Sequence, residues 1–119
     1  MVKEDRLFNS HEKAVVVSLL IEMVNADRNV AFEEMVETNN IFARLHVDKE
    51  TFELGRALDV KYAMHAARSM SDDQKLELAS LLVELIDADH EVADTELALL
   101  KQICTDADIT EVLKRKGAV

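Results

Sequence analysis

The chain has 119 residues, of which 49% are hydrophobic and 32% are charged. This balance excludes a disordered chain, and the length fits one domain with one hydrophobic core. The formal net charge of −10 disfavours contact with nucleic acid and with anionic membrane surfaces.

Cysteine content and the length of the apolar runs predict the cellular location of the protein. Cys104 is the single cysteine, so no internal disulfide can form and a reducing environment is expected. The apolar run 14–21 is too short for a membrane span, which takes about 20 apolar residues. Glu4 and Asp5 stand where a signal peptide has its basic start. We therefore expect a cytoplasmic protein without a transmembrane segment.

The residue composition predicts helices. There is no proline, and there are only two glycines, Gly55 and Gly117, although sheet proteins use these residues in their many turns. Leu, Ala, Glu, Lys and Met dominate, and all five are good helix formers. The sequence therefore favours long helices with short connections.

Helical periodicity and capping residues locate the elements in chain order. Asn9 with Glu12 and Ser71 with Gln74 are capping boxes, each opening a helix. The first helix is apolar at almost every position, which is typical of a central, buried helix. Gly55 predicts a break or a loosening of the third helix. The predicted helices are about 9–25, 32–45, from 48 onward, 59–70, 71–86, 94–104 and from 110 onward.

The sequence repeats itself at a spacing of 62 residues, for example from Asp27 to Asp89. Between 18–35 and 80–97, 9 of 18 aligned positions are identical. The agreement extends to Asp48 and Thr110, each a capping residue after an apolar one. We predict one domain over residues 1–119, an all-α, compact bundle of about six or seven helices. It is built from a duplicated helix–turn–helix unit, residues 10–48 and 72–113, around a pseudo-two-fold axis, with 48–70 as the bridge.

Each predicted hairpin turn carries the pattern Ala-Asp-x-x-Val-Ala-x-x-Glu. Its acids are Asp27 and Glu34 in the first copy, and Asp89 and Glu96 in the second. A bend between helices brings carboxylates seven positions apart close together, and carboxylate oxygens suit calcium or magnesium. A structural role is the alternative. Aspartates at a turn accept hydrogen bonds from the next helix, and glutamates early in a helix are favourable with its dipole.

The doubled pattern resembles the tellurite-resistance TerB-like family, whose motif is typically Ala-Asp-Gly-x-Val-Ser-x-x-Glu, occurring twice in an all-helical domain. The resemblance runs from about Glu12 to Leu113 and includes the entry to the second repeat, residues 70–74. It implies a cytoplasmic domain linked to stress response and metal resistance, with divalent-cation binding through the motif acids. By position these acids are Asp27, Glu34, Asp89 and Glu96.

The chain departs from this family pattern at two positions of each turn. Arg28 and His90 replace the glycine, which removes the residue best suited to a left-handed turn. Alanine replaces the serine that caps the following helix. Arg28 also adds a cation to the first acidic cluster, so the second copy is the more negative one.

The sequence contains no motif typical of the other metal sites and enzyme classes considered. An EF-hand loop fails because Val92 takes its glycine position and Ala98 its closing glutamate position. No zinc-binding His-Glu-x-x-His, phosphate loop or nucleophile elbow occurs. We expect a non-enzymatic domain that binds a divalent cation, a protein partner or both, and a homo-oligomer is compatible with the sequence. The alternatives are a pure interaction domain without metal and, more weakly, an enzyme of unknown class.

Overall fold

The computed structural model describes residues 7–26, 32–88 and 94–117. Seven α-helices and no β-strand occur in these ranges, which confirms the predicted all-helical bundle. The chain folds into a body of 34 × 32 × 28 Å. The helices are α1 Ser10–Asn25, α2 Phe32–Arg44, α3 Lys49–Ala57, α4 Val60–Arg68, α5 Asp72–Asp87, α6 Asp94–Asp106 and α7 Ile109–Arg115.

Helix α1 is the centre of the bundle, as its apolar sequence predicts. Every residue from Ala14 to Leu20 is buried, and so is Met23. Five helices, α2 to α6, pack against it. Because neighbours cover α1 from several directions, nearly all of its faces must be apolar.

Both predicted capping boxes form. The Glu12 N–H donates to Asn9 Oδ1 at 2.8 Å, and the Asn9 N–H donates to Glu12 Oε1 at 2.9 Å. The Gln74 N–H donates to Ser71 Oγ at 3.1 Å, and the Ser71 N–H donates to Gln74 Oε1 at 2.8 Å. These bonds satisfy amide groups that a helix start leaves without partners, so they fix where α1 and α5 begin.

The helix bounds follow the 62-residue spacing. The bounds of α1 and α2, at 10, 25, 32 and 44, correspond to those of α5 and α6, at 72, 87, 94 and 106. Both non-glycine residues with a described positive φ also correspond, His46 at 55° and Asp108 at 63°. His46 ends its hairpin with a left-handed turn, in which the Val47 N–H reaches the Phe42 carbonyl at 3.0 Å.

Several helix contacts follow the same correspondence, although α6–α7 packs together without a comparable α2–α3 pair. Helices α1, α2 and α3 of the first copy correspond to α5, α6 and α7 of the second. The contact α1–α3 corresponds to α5–α7, α1–α2 corresponds to α5–α6, and α1–α6 corresponds to α2–α5. All six pairs pack together. This is the contact pattern expected of two units around a pseudo-two-fold axis. Helix α4, which packs on α1 and α6, has no counterpart among the described helices.

Two local predictions are wrong. Gly55 neither breaks nor loosens α3 but lies buried inside it, because its missing side chain lets α3 approach α1 closely. Thr110 does not cap the last helix, since α7 already begins at Ile109. Asp108 takes the cap position without a side-chain cap bond. Its carboxylate instead lies 3.4 Å from Nζ of the buried Lys75.

Replacing Gly55 by alanine is expected to destabilise the protein. An added Cβ would lie 2.6 Å from Val17 Cβ and 2.7 Å from the Ala14 carbonyl oxygen, so the backbones of α1 and α3 must separate. Such overpacking typically costs about 1–3 kcal/mol. The free energy of unfolding is measured in urea. Glu50→Ala, at an exposed position of the same helix, serves as the control, and a Gly55→Ala variant as stable as wild type contradicts the close approach.

The Asp48 cap predicts a dependence of stability on pH. The Thr51 N–H donates to Asp48 Oδ1 at 2.7 Å, and the bonds from the Thr51 backbone and side chain lower the pKa of Asp48 below its ordinary value of 3.8. A lowered folded-state pKa gives stability that is present above the unfolded pKa and lost as the pH falls through the folded one.

Wild type should therefore lose stability relative to Asp48→Asn as the pH falls below about 5. The two melting temperatures are compared from pH 7 to pH 2, with Glu50→Gln as a control for losing an acid without a cap contact. A constant difference between wild type and Asp48→Asn over this range would show that ionisation of Asp48 does not contribute.

Candidate functional site

The structure buries two of the four predicted site residues. Glu34 lies in the first turn of α2 and Glu96 in the first turn of α6, and each is 1% exposed. The other two, Asp27 and Asp89, lie in the turn segments 27–31 and 89–93, outside the described residues. The glutamates therefore occupy equivalent places, each directly after its acidic turn.

Burial makes these two carboxylates unusual. Transferring a charged carboxylate into the interior costs several kcal/mol unless hydrogen bonds, a proton or a cation compensate for the lost water. The positive end of the helix dipole provides part of this compensation at Glu34 and Glu96, which start their helices. Both hairpins thus bury the same group at corresponding positions.

Oxygen-bearing side chains flank each turn on the described side. Asn25 ends α1, Asp87 ends α5 and Asp94 begins α6, and all three are exposed. The next residues, Ala26 and Ala88, have identical backbone angles of φ −62° and ψ −33°, so the chain enters both turns in the same direction.

Metal binding at the turns stays a prediction. Within residues 7–26, 32–88 and 94–117, no group of three or more His, Cys, Asp or Glu is placed to hold a metal ion. A cation held through Glu34 or Glu96 would therefore need further ligands, and Asp27 and Asp89 of the neighbouring segments are the predicted ones.

Helix α2 contains a side-chain to backbone hydrogen bond one turn after its glutamate. The hydroxyl of Thr38, which is 9% exposed, donates to the carbonyl oxygen of Glu34 at 2.7 Å. Leu100 takes the corresponding position of α6, so the second copy has no such bond. The two copies thus share a buried glutamate but differ in this bond within the following helix.

An ion-pair clamp joins the two hairpins and was missed by the sequence analysis. Arg44, at the end of α2, donates to both carboxylate oxygens of Glu84 on α5, at 2.8 and 3.0 Å. This contact lowers the pKa of Glu84, whereas hydrogen bonding to Glu84 raises the pKa of nearby Glu37. The corresponding residues of the other copy, Asp106 and Glu22, are both acidic, so no equivalent clamp can form there.

An apolar groove of about 200 Å³ opens beside the first turn. Phe42 and Phe52 pack edge to face in its wall, with ring centroids 5.9 Å apart. Met35, on the rim, is 53% exposed, and its counterpart Leu97 is 42% exposed. The groove is lined by Ile21, Val24, Asn25, Met35, Thr38, Asn39, Phe42 and Phe52.

Cys104 does not have the surroundings of a reactive thiol. It is half-buried on α6, and burial raises the pKa of its thiol. A raised pKa leaves less of the nucleophilic thiolate at neutral pH. Its side chain packs against the core from a partly buried position.

Comparison with known proteins provides a structure with a similar fold but no known function. No protein-family model matches the sequence, and no curated protein matches it. The chain is similar to a crystal structure of a protein of unknown function from Porphyromonas gingivalis W83, with a TM-score of 0.71. The two share 20% sequence identity over 94% of this chain and 98% of that chain. At this identity the similarity shows a shared fold alone.

Across the described residues, every helix is too short or too polar to cross a bilayer.

Proposed function

We propose that the protein is a non-enzymatic, TerB-like binding domain whose acidic interhelical turns hold a divalent cation, calcium or magnesium, in a stress or metal-resistance response. The observation that carries this proposal is the matched burial of Glu34 and Glu96, each 1% exposed and each directly after an Ala-Asp turn. A cation is one of the few partners that make a buried carboxylate favourable. The motif resemblance points to the same chemistry.

The proposed sites combine residues from both sides of each turn. In the first copy Asp27 and Glu34 provide carboxylates, and in the second copy Asp89 and Glu96 do. Calcium takes six to eight oxygen ligands, so backbone carbonyls of the turns and water complete the shell. Because the first turn contains Arg28 and the second is flanked by Asp87 and Asp94, the second site is expected to bind more tightly.

The charge of the whole chain favours the same ligand. A net charge of −10 attracts cations and makes the folded protein repel itself. A divalent cation at each turn would reduce that repulsion where acidic residues are closest together. We therefore expect cation binding to raise the free energy of unfolding.

Cation binding is tested by melting the protein with calcium, magnesium, manganese or zinc. A cation at 100 times its dissociation constant should stabilise the wild type by about 2.7 kcal/mol. This rise should shrink in Glu96→Gln and vanish in the Glu34→Gln, Glu96→Gln double variant, because glutamine keeps the shape but loses the charge. Calorimetric titration of the wild type measures the stoichiometry directly.

Glu50→Gln is the matched control, since it removes one exposed acid from α3 and should keep the full rise. Circular dichroism of each variant without metal establishes that it is folded. If no cation raises the melting temperature of the wild type, or if Glu50→Gln loses the rise as the double variant does, the turns are not cation sites.

Recognition of a protein partner is the second candidate function, and the apolar groove favours it. A rim residue as apolar as Met35 costs solubility when it is 53% exposed, and such surfaces commonly mark contact sites. Met35, Thr38, Asn39 and Phe42 line the groove at the three- and four-residue steps of one helix face. This spacing suits an amphipathic helix laid into the groove.

The groove is tested by selecting displayed helical peptides that bind the wild type. Met35→Glu should weaken the selected peptide at least tenfold, because it places a charge at the apolar rim. Val83→Glu makes the same change at an apolar residue of α5 that is 45% exposed and outside the groove, so it should leave binding unchanged. Equal effects of the two substitutions, or failure to select any peptide, would exclude the groove as a docking site.

A further inference from the structure

Helix α4 differs in charge from the rest of this acidic protein. Its nine residues contain Lys61, His65 and Arg68 and no acid, whereas each of the other six described helices contains at least one Asp or Glu. It is also the helix without a counterpart in the pseudo-symmetric body. Among the described helices, α4 is therefore the one that carries basic residues without an acid.

The three basic residues lie along one face of α4. Positions 61, 65 and 68 follow the four- and three-residue steps of a helix, so they fall within an arc of about 60°. They extend over about 10 Å of the helix axis. All three are exposed. A row of donors this long matches a ligand that presents several anionic groups in line.

A groove of about 470 Å³ runs between this face and α6. Lys61, His65 and Arg68 line one side, while Gln102 and Asp106 line the other, with the buried Met64 between them. Two permanent cations face one acid, so the groove is locally positive in a chain of net charge −10. The volume lies within the range of small-molecule sites.

The side chains of this face keep their donors available. Among the described residues, none of the three forms an ion pair, although all lie on an acidic protein. The Arg68 guanidinium makes one hydrogen bond, from Nη1 to the carbonyl oxygen of Asp106 at 3.3 Å. That bond holds Arg68 at the end of the groove and leaves its other N–H groups for a ligand.

We propose that this groove binds a short polyphosphate chain, as in inorganic tripolyphosphate or a nucleoside triphosphate. Arg68 donates two parallel hydrogen bonds to one phosphoryl group, a geometry that suits its planar fork. Lys61 contributes a point charge about two helical turns away, and His65 lies between them. Gln102 donates from the opposite wall. A single carboxylate would engage only one end of this row, so the length of the row selects the longer anion.

The binding of tripolyphosphate to the full chain is measured by calorimetric titration at about 0.15 M salt, where distant acidic residues are screened beyond about 8 Å. One site per chain is expected. Lys61→Gln and Arg68→Gln should each weaken binding about tenfold, which is the effect of losing one charge-assisted hydrogen bond. Asp106→Asn should strengthen binding, because it removes the one acid facing the ligand.

Lys49→Gln is the matched control, since it removes an exposed cation of α3 outside the groove and should change binding less than twofold. ATP is titrated in parallel. Equal affinity supports recognition of the phosphate chain alone, whereas tighter binding of ATP supports added contact with the nucleoside. The proposal is overturned if neither compound binds, if Lys49→Gln weakens binding as much as Arg68→Gln, or if citrate binds as tightly as tripolyphosphate. Lys61→Gln and Arg68→Gln are tested separately, so the test survives if one of them fails to fold.

Discussion

The structure depends on covering one helix, α1, from several sides. Its residues from Ala14 to Leu20 are all buried, so the remaining helices must be arranged around it. Gly55 meets this requirement at the tightest point, where α3 lies so close to α1 that a Cβ would meet Val17. In the pseudo-symmetric arrangement α5 is the counterpart of α1, and it lies against both α1 and α7. The core is therefore shared between the two hairpins, and neither hairpin can bury its central helix without the other.

This shared core explains where the buried acids lie. Each hairpin turns immediately before the helix that carries its glutamate, and packing that helix on the centre takes Glu34 and Glu96 out of water. The helix dipole makes these first turns the least unfavourable positions for a negative charge. The Arg44–Glu84 clamp differs from these glutamates because it occurs once and has no counterpart at the corresponding positions. It joins the two hairpins but is not part of the repeat.

Much of the fold follows from the sequence because local signals and packing agree in it. The capping boxes at Asn9 and Ser71 predicted where α1 and α5 begin, and the nearly continuous apolar sequence of the first helix predicted its central, buried place. Gly55 was misjudged because helix propensity describes one helix by itself. The role of this glycine is to let a second helix, α1, pack closely against α3. Thr110 was misjudged because the two copies diverge after His46 and Asp108: α3 begins at Lys49 after the Asp48 cap, whereas α7 begins at Ile109, directly after Asp108. Of the site, sequence spacing singled out Glu34 and Glu96 but not their burial, and the apolar groove was invisible because the spacing of Met35 is the same as that of a core residue.

Charge is divided unevenly over the helices. The two segments that repeat at a spacing of 62 residues carry acids at matching positions, Asp27 with Asp89 and Glu34 with Glu96. Helix α4 lies outside this repeat and contains no acid, with Lys61, His65 and Arg68 on its exposed face. Because the groove is lined by α4 and α6, a ligand along this face would join the helix outside the repeat to a helix of the second hairpin. The groove is thus a locally cationic surface where α4 meets the second hairpin.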